Sequence, residues 1–158
     1  MAGRRYWLVK SEPSAFSWAD LLKSPHRTAE WDGVRNFQAR NLLKNEMKVG
    51  DGVFFYHSSI PQPAIVGTAV VVREGYPDHT AWDPKSAHYD PKSTREKPVW
   101  YMVDIRAEAE LPYPVTLETI KRTPGLEEMV LLHRSRLSVQ PVTEAEWNII
   151  VALGKKGA

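Results

Sequence analysis

Two short runs, Tyr6-Trp7-Leu8-Val9 and Val53-Phe54-Phe55-Tyr56, constrain this chain more than any other part of it. Both read as buried strands, because aromatic and β-branched side chains suit a pleated, half-buried surface. Both also close on polar residues. The first ends at Lys10-Ser11-Glu12 before Pro13, which cannot continue a ladder, and the second at His57-Ser58-Ser59, with Pro61 and Pro63 beyond. Hydrophobic strands that deliver polar groups at their ends are well placed to line a pocket.

The rest of the chain supplies further strands and short helices. Ser17 is a cap for a brief helix over Trp18 to Leu22, with Asp20 in its first turn and Ser24-Pro25 as its stop. Lys48 to Gly52 is a turn, and Ala64 to Arg73 a third strand in which Gly67 marks a bulge or a close backbone approach. The segment Glu74 to Pro98 holds four of the twelve prolines and no sustained periodicity, which suggests a functional, lid-like loop. Val99 to Ile105 alternates as a fourth strand, Thr116 to Arg122 reads as a helix stopped near Pro124-Gly125, and 126–136 is ambiguous. Leu137 to Pro141 is a final strand. Thr143-Glu144-Ala145-Glu146 is a capping box for a helix through Trp147, Ile150 and Leu153 that Gly154 ends. Without a βαβ rhythm, these elements predict an α+β domain built on a small mixed barrel.

The stretch from Glu30 to Asn41 differs in character. Trp31 stands immediately before Asp32-Gly33, a tight-turn dipeptide, so its indole is presented on a turn. Asn36 then caps a short helix in which Phe37, Ala39, Leu42 and Leu43 recur with helical spacing. Arg35, Arg40 and Lys44 ride on this stretch, the last two four apart on one helical face. Aromatic turn, polar cap and cationic helix together suit a flat, polar, anionic ligand; the alternative is a core tryptophan beside a solvated face. Trp7, Trp100 and Trp147 lie on apolar faces and read as core.

Composition narrows the function classes. The 158 residues predict one domain, 1–158, large enough for a core without staples. Cysteine is absent, which removes disulfides, thiolate zinc sites and cysteine nucleophiles, and fits a reducing cytosol. No apolar run approaches the roughly 20 residues of a membrane helix, so a chain without membrane association is expected, cytoplasmic or, in a eukaryote, nuclear. The net charge is +2, with 9 Lys/Arg against 6 Asp/Glu in residues 1–60, a lean that permits nucleic-acid binding without demanding it. The six Trp and six Tyr either fill a core or stack on planar ligands.

Several blocks resemble the EVE domain family: Tyr6-Trp7-Leu8-Val9-Lys10-Ser11-Glu12-Pro13, Trp31 to Asn41, Phe54-Phe55-Tyr56-His57-Ser58, Tyr76-Pro77-Asp78-His79-Thr80, His88-Tyr89-Asp90-Pro91 and Leu137-Ser138-Val139-Gln140-Pro141. They occur in the family's order over nearly the whole chain. The resemblance implies a PUA-like fold, a curved β-sheet or barrel flanked by short helices, related to the YTH readers of methylated adenine in RNA. It implies a monomeric, non-catalytic binding module for a modified nucleobase, modified cytosine in DNA or methylated adenine, with no cofactor. It would place Lys10, Ser11 and Glu12 on one pocket wall, Trp31 as the leading aromatic, Tyr56, His57 and Ser58 opposite, and Tyr89 as a closing residue from the loop.

Such a pocket needs an aromatic platform and a few directed edge contacts. Stacking on one ring contributes on the order of 1 to 3 kcal/mol for any base. Ser11, Ser58 and Asn36 can donate or accept, and the Glu12 carboxylate would accept from an exocyclic amine. Arg35, Arg40 and Lys44 are the expected phosphate contacts. Two other readings use the same residues: a hydrolase or RNA-modifying enzyme working through His57 or His79, and a pocket for a free nucleotide-like small molecule. Against the hydrolase, His57 and Ser58 are neighbours on a strand and point to opposite faces. His79, Asp83, His88 and Asp90 are weak evidence for a metal site, and none is expected.

Overall fold

Strand alternation decides which face each aromatic enters. In the computed structural model, which describes residues 4–157, the strands are β1 (Tyr6–Ser11), β2 (Thr28–Glu30), β3 (Gly52–His57), β4 (Ala64–Pro77), β5 (Tyr101–Thr116) and β6 (Val139–Val142). They form one mixed sheet in the order β2-β5-β4-β3-β1-β6. The order is linear, so the expected barrel takes the form of a sheet with β2 and β6 at its ends. β1 and β3 run parallel, Tyr6 opposite Gly52 and Ser11 opposite His57, while the other pairings are antiparallel. The two polar strand ends therefore emerge side by side, joined by Ser58 N–H donating to the Ser11 carbonyl at 2.9 Å.

Trp7, Val9, Val53 and Phe55 point to one face, where they pack with Trp18, Leu21, Trp31, Leu43 and Ile105. Leu8, Phe54 and Tyr56 point to the other, against Ile65, Ile120, Leu126, Trp147 and Ile150. Each large side chain so buried contributes about 1.5–3 kcal/mol. The helices are α1 (Trp18–Lys23), α2 (Phe37–Asn41, continued by a π-turn over Leu42–Glu46), α3 (Leu117–Arg122), α4 (Val130–His133) and α5 (Glu144–Lys156). Their starts follow the sequence: Ser17 and Thr143 form capping boxes, and Asn36 and Thr116 each accept from the backbone N–H of the third residue of their helices.

Four features depart from the sequence reading. β2 has no strand pattern of its own and exists because Thr28–Glu30 lie against Asp104–Arg106 of β5. β4 continues to Pro77, and β5 runs past Ile105 to Thr116; Pro112 and Pro114 are tolerated because the β4 ladder slips there, between the Gly67–Glu110 and Ile65–Val115 pairs. α5 passes through Gly154, whose missing Cβ lets Leu111 approach, and ends at Gly157. Gly67 likewise admits the Trp18 ring, which a Cβ would meet at 2.5 Å. Among the described residues, no helix is long and apolar enough to cross a membrane.

Candidate functional site

A cavity of about 730 Å³ opens where the end of β1 meets the turn after β2. Lys10, Ser11 and Glu12 form one wall, Glu30 to Arg35 the other, and Phe16, His88 and Ser138 complete it. Trp31 extends β2, its N–H donating to the Val103 carbonyl at 2.7 Å. The indole meets Phe16 and Phe55 edge-on at 6.1 and 5.4 Å. At 8% exposure it is an inner wall rather than a free-standing plate.

The turn beyond Trp31 is held from a distance in sequence. Gly33 adopts φ +75°, a conformation that favours glycine, and the His88 ring fills the space a side chain there would take. The fully buried Asp78 carboxylate accepts from Gly33 N–H (2.9 Å), Arg35 Nη1 (2.9 Å) and Thr80 N–H (2.9 Å). Burial pushes its pKa up, but the bonds from Thr80, Gly33 and Arg35 outweigh burial and hold it below the ordinary carboxylate value. Arg35 also donates from Nη2 to the His88 carbonyl at 2.6 Å, so its guanidinium clamps the 78–88 segment onto the turn. Asp32, by contrast, is pushed up by burial and by the nearby Asp78 charge. With Arg35 paired to Asp78, the carboxylates of Glu12, Glu30 and Asp32 leave the walls richer in acceptors than in donors.

The residues singled out from sequence divide into two groups. Lys10, Ser11, Glu12, Trp31 and Arg35 converge on the cavity. Lys10 Nζ donates to the Ser135 carbonyl at 2.6 Å, and burial lowers its pKa. The Ser11 hydroxyl donates to the Phe16 carbonyl, so it faces a ligand as an acceptor. The Glu12 carboxylate accepts from the Ser59 hydroxyl at 3.3 Å.

The others do not line it. Tyr56 follows Phe55 on the strand and so points into the opposite core. His57 Nε2 accepts from the Trp18 N–H at 3.0 Å, closing the start of α1, and burial lowers its pKa in keeping with that acceptor role. Ser58 is tied to β1 through its backbone. Asn36 Oδ1 accepts from Ala39 N–H as the α2 cap. Tyr89 is exposed, and its neighbour His88 is the residue that reaches the cavity. Arg40 donates to the Val99 carbonyl (2.6 Å) and Lys44 sits 4.8 Å over the Tyr101 ring, both outside the cavity.

The EVE domain model matches residues 5–153. The chain belongs to the EVE domain family. Among curated relatives, mouse thymocyte nuclear protein 1 is 45% identical over 94% of this chain and 73% of its own length, and the human protein 41% identical over 96% and 74%. Among solved structures, human THYN1 in complex with DNA containing 5-methylcytosine superposes with a TM-score of 0.91 at 39% identity, covering 98% of this chain and 99% of that one. A YTH domain from Zygosaccharomyces rouxii MRB1 in complex with N6-methyladenosine RNA reaches a TM-score of 0.55 at 15% identity, over 97% and 88%, a likeness of fold alone. The EVE domain here thus has the α+β, PUA-like fold.

Asp32, Asp78, His88, Phe16 and Ser138 were not singled out as site residues. Asp78-His79-Thr80 does carry a signal, since an Asp two residues before a Thr commonly closes an Asx turn, as Asp78 does with Thr80 N–H. Nothing local marks His88 or Ser138 as cavity residues. Among the described residues, no group of three or more His, Asp or Glu is arranged to hold a metal ion.

Proposed function

We propose that this EVE domain is a monomeric, non-catalytic reader that takes a modified cytosine of a nucleic acid into the Trp31 cavity. The observation that carries the reading is the convergence of an aromatic wall, Phe16 and Trp31, with the acceptors of Ser11, Glu12 and Asp32 in one cavity. The fold-wide likeness to a relative solved with 5-methylcytosine DNA supports it. An acceptor-rich wall suits the exocyclic amine of cytosine, and repels the carbonyl that thymine carries at the same position. A methyl group buried against Phe16 or Val34 contributes about 0.8 kcal/mol, roughly a fourfold preference.

The catalytic alternative fits less well. His57 already serves as acceptor for the Trp18 N–H, and His79 is paired with Glu30 at 2.7 Å, so neither imidazole stands free beside a nucleophile. The test is binding, by fluorescence anisotropy, of matched oligonucleotides carrying cytosine, 5-methylcytosine, thymine, adenine or N6-methyladenine. Tightest binding to 5-methylcytosine, with the preference reduced in Glu12→Gln and Trp31→Phe, is the expected result. Equal binding of all five refutes the reading. A free nucleoside that binds as tightly as the oligonucleotide would favour a small-molecule pocket.

A further inference from the structure

A second aromatic surface begins beside the cavity, on α2. Phe37 opens this helix and remains 60% exposed, whereas Ala39 of the same helix enters the core. The Phe37 ring is not loose. It stacks on the buried Trp100 indole with centroids 4.9 Å apart and planes 28° from parallel, and Trp100 is itself oriented by Nε1 donating to Asp90 Oδ2 at 2.7 Å. A fixed ring loses little freedom on binding a planar partner, which favours association.

The surroundings are cationic and continuous with the cavity. Arg35, a cavity residue, lies 5.4 Å from the Trp100 ring centroid, and Arg40 lies 5.1 Å from that of Phe37. Lys44 follows one helical turn later, over Tyr101. Arg40 is steadied by the Val99 carbonyl and Asn41 Oδ1 through Nη1 and Nε, which leaves Nη2 without an acceptor among the described residues. Of the carboxylates in this group, Asp78 is paired with Arg35 and Asp90 is engaged by the Trp100 indole, so the cations further along α2 are the ones left for a ligand. Moving outward from the cavity, the order is therefore Arg35, Trp100, Phe37, Arg40: a largely exposed ring backed by a buried indole, with the Arg40 guanidinium over it. The other exposed aromatic side chains of this kind, Tyr89 and Tyr113, stack on no ring among the described residues.

We infer that Phe37, backed by Trp100 and flanked by Arg40 and Lys44, is a stacking subsite for the nucleotide adjacent to the one held in the cavity. This inference rests on the cavity reading above. Its ligand is a nucleic-acid strand, because rings alternating with cations match bases alternating with phosphates. Withdrawing one base into a pocket strips its neighbour of a stacking partner, and Phe37 offers a replacement face at that step.

The experiment compares wild type, Phe37→Ala, Phe37→Trp and Trp31→Phe on three probes: an oligonucleotide with a single 5-methylcytosine, its unmethylated match, and the free nucleoside 5-methyl-2′-deoxycytidine. Phe37→Ala should weaken both oligonucleotides by the same factor, about 5- to 100-fold, with Phe37→Trp close to wild type. The methyl preference and the nucleoside affinity should be unchanged. If Phe37→Ala binds oligonucleotides like wild type while the methyl preference persists, the subsite is refuted and the cavity stands. A loss shared by the free nucleoside also refutes it, since Phe37 would then act only by supporting the cavity through Trp100. If wild type shows no methyl preference at all, the cavity reading itself has failed.

Discussion

The two faces of the sheet are built on different principles. Under α5, Leu8, Phe54, Tyr56 and Trp147 make a closed core, with Trp147 stacked on Phe54 at 4.0 Å and meeting Tyr6 at a tilt at 4.6 Å. On the other face two of the three core tryptophans are pinned by directed bonds, Trp7 Nε1 donating to Asp51 Oδ2 at 2.9 Å and Trp18 Nε1 to Glu110 Oε1 at 3.0 Å, while Trp31 is held edge-on by Phe16 and Phe55. The turn beyond Trp31 is likewise pinned, by Gly33 N–H and Arg35 donating to Asp78, so this face stops short of closing yet keeps its shape, and the space it leaves is the cavity. Surrounded packing gives stability, and pinned packing gives a rigid opening.

This contrast can be broken from either side. The largest effect is expected on the closed face, where Trp147→Ala should lower unfolding free energy by about 3–5 kcal/mol through lost burial and an imperfectly collapsed cavity. Denaturant melts measure it, and the ligand preference of the folded fraction should not move. Next comes Asp78→Asn, which leaves Arg35 without its counter-charge and loosens the turn after Trp31. A loss of about 2–4 kcal/mol is expected, together with weaker oligonucleotide binding. Wild-type binding in that variant would mean that the turn does not depend on its clamp.

Acidification should act selectively on the pinned face. The native His57 pKa lies below its ordinary 6.5, so the unfolded chain takes up that proton first. The associated stability is present above pH 6.5 and is lost as pH falls through the native value. Asp78, also depressed, adds a second loss at lower pH, present above the ordinary carboxylate value and lost as pH falls through its native one. Thermal melts from pH 8 to 4 should show the upper step vanish in His57→Gln. The smallest effect belongs to Asp32→Asn. Because burial and Asp78 raise the Asp32 pKa, its charge opposes folding at neutral pH, and removing it should stabilise by under about 1 kcal/mol while weakening recognition of an amine-bearing base. A destabilised Asp32→Asn would mean that the carboxylate holds the turn rather than awaiting a ligand.

Local patterns made the skeleton of this fold legible. β1, β3 and the caps at Ser17, Asn36 and Thr143 each follow from side chains within a few residues. β2 and the far half of β5 did not, since both depend on partners distant in sequence. The same divide runs through the candidate site. Lys10, Ser11, Glu12 and Trp31 were legible from a strand end and a turn. Tyr56 was misplaced because one step along a strand reverses the face, and His57 because its acceptor role lies with the α1 backbone. Asp78 and His88 could be joined to the turn only by a tertiary clamp that no short pattern encodes.

The parallel pairing of β1 with β3 has a further consequence. Two parallel strands cannot be joined by a hairpin, so everything between Ser11 and Gly52 is a crossover, and it includes Trp31, the Asp32-Gly33 turn and α2. That ladder must close over the whole intervening length, so folding commits to the site-bearing segment as it builds the sheet's centre. The segment that carries the cavity wall is thus inseparable from the central ladder of the sheet.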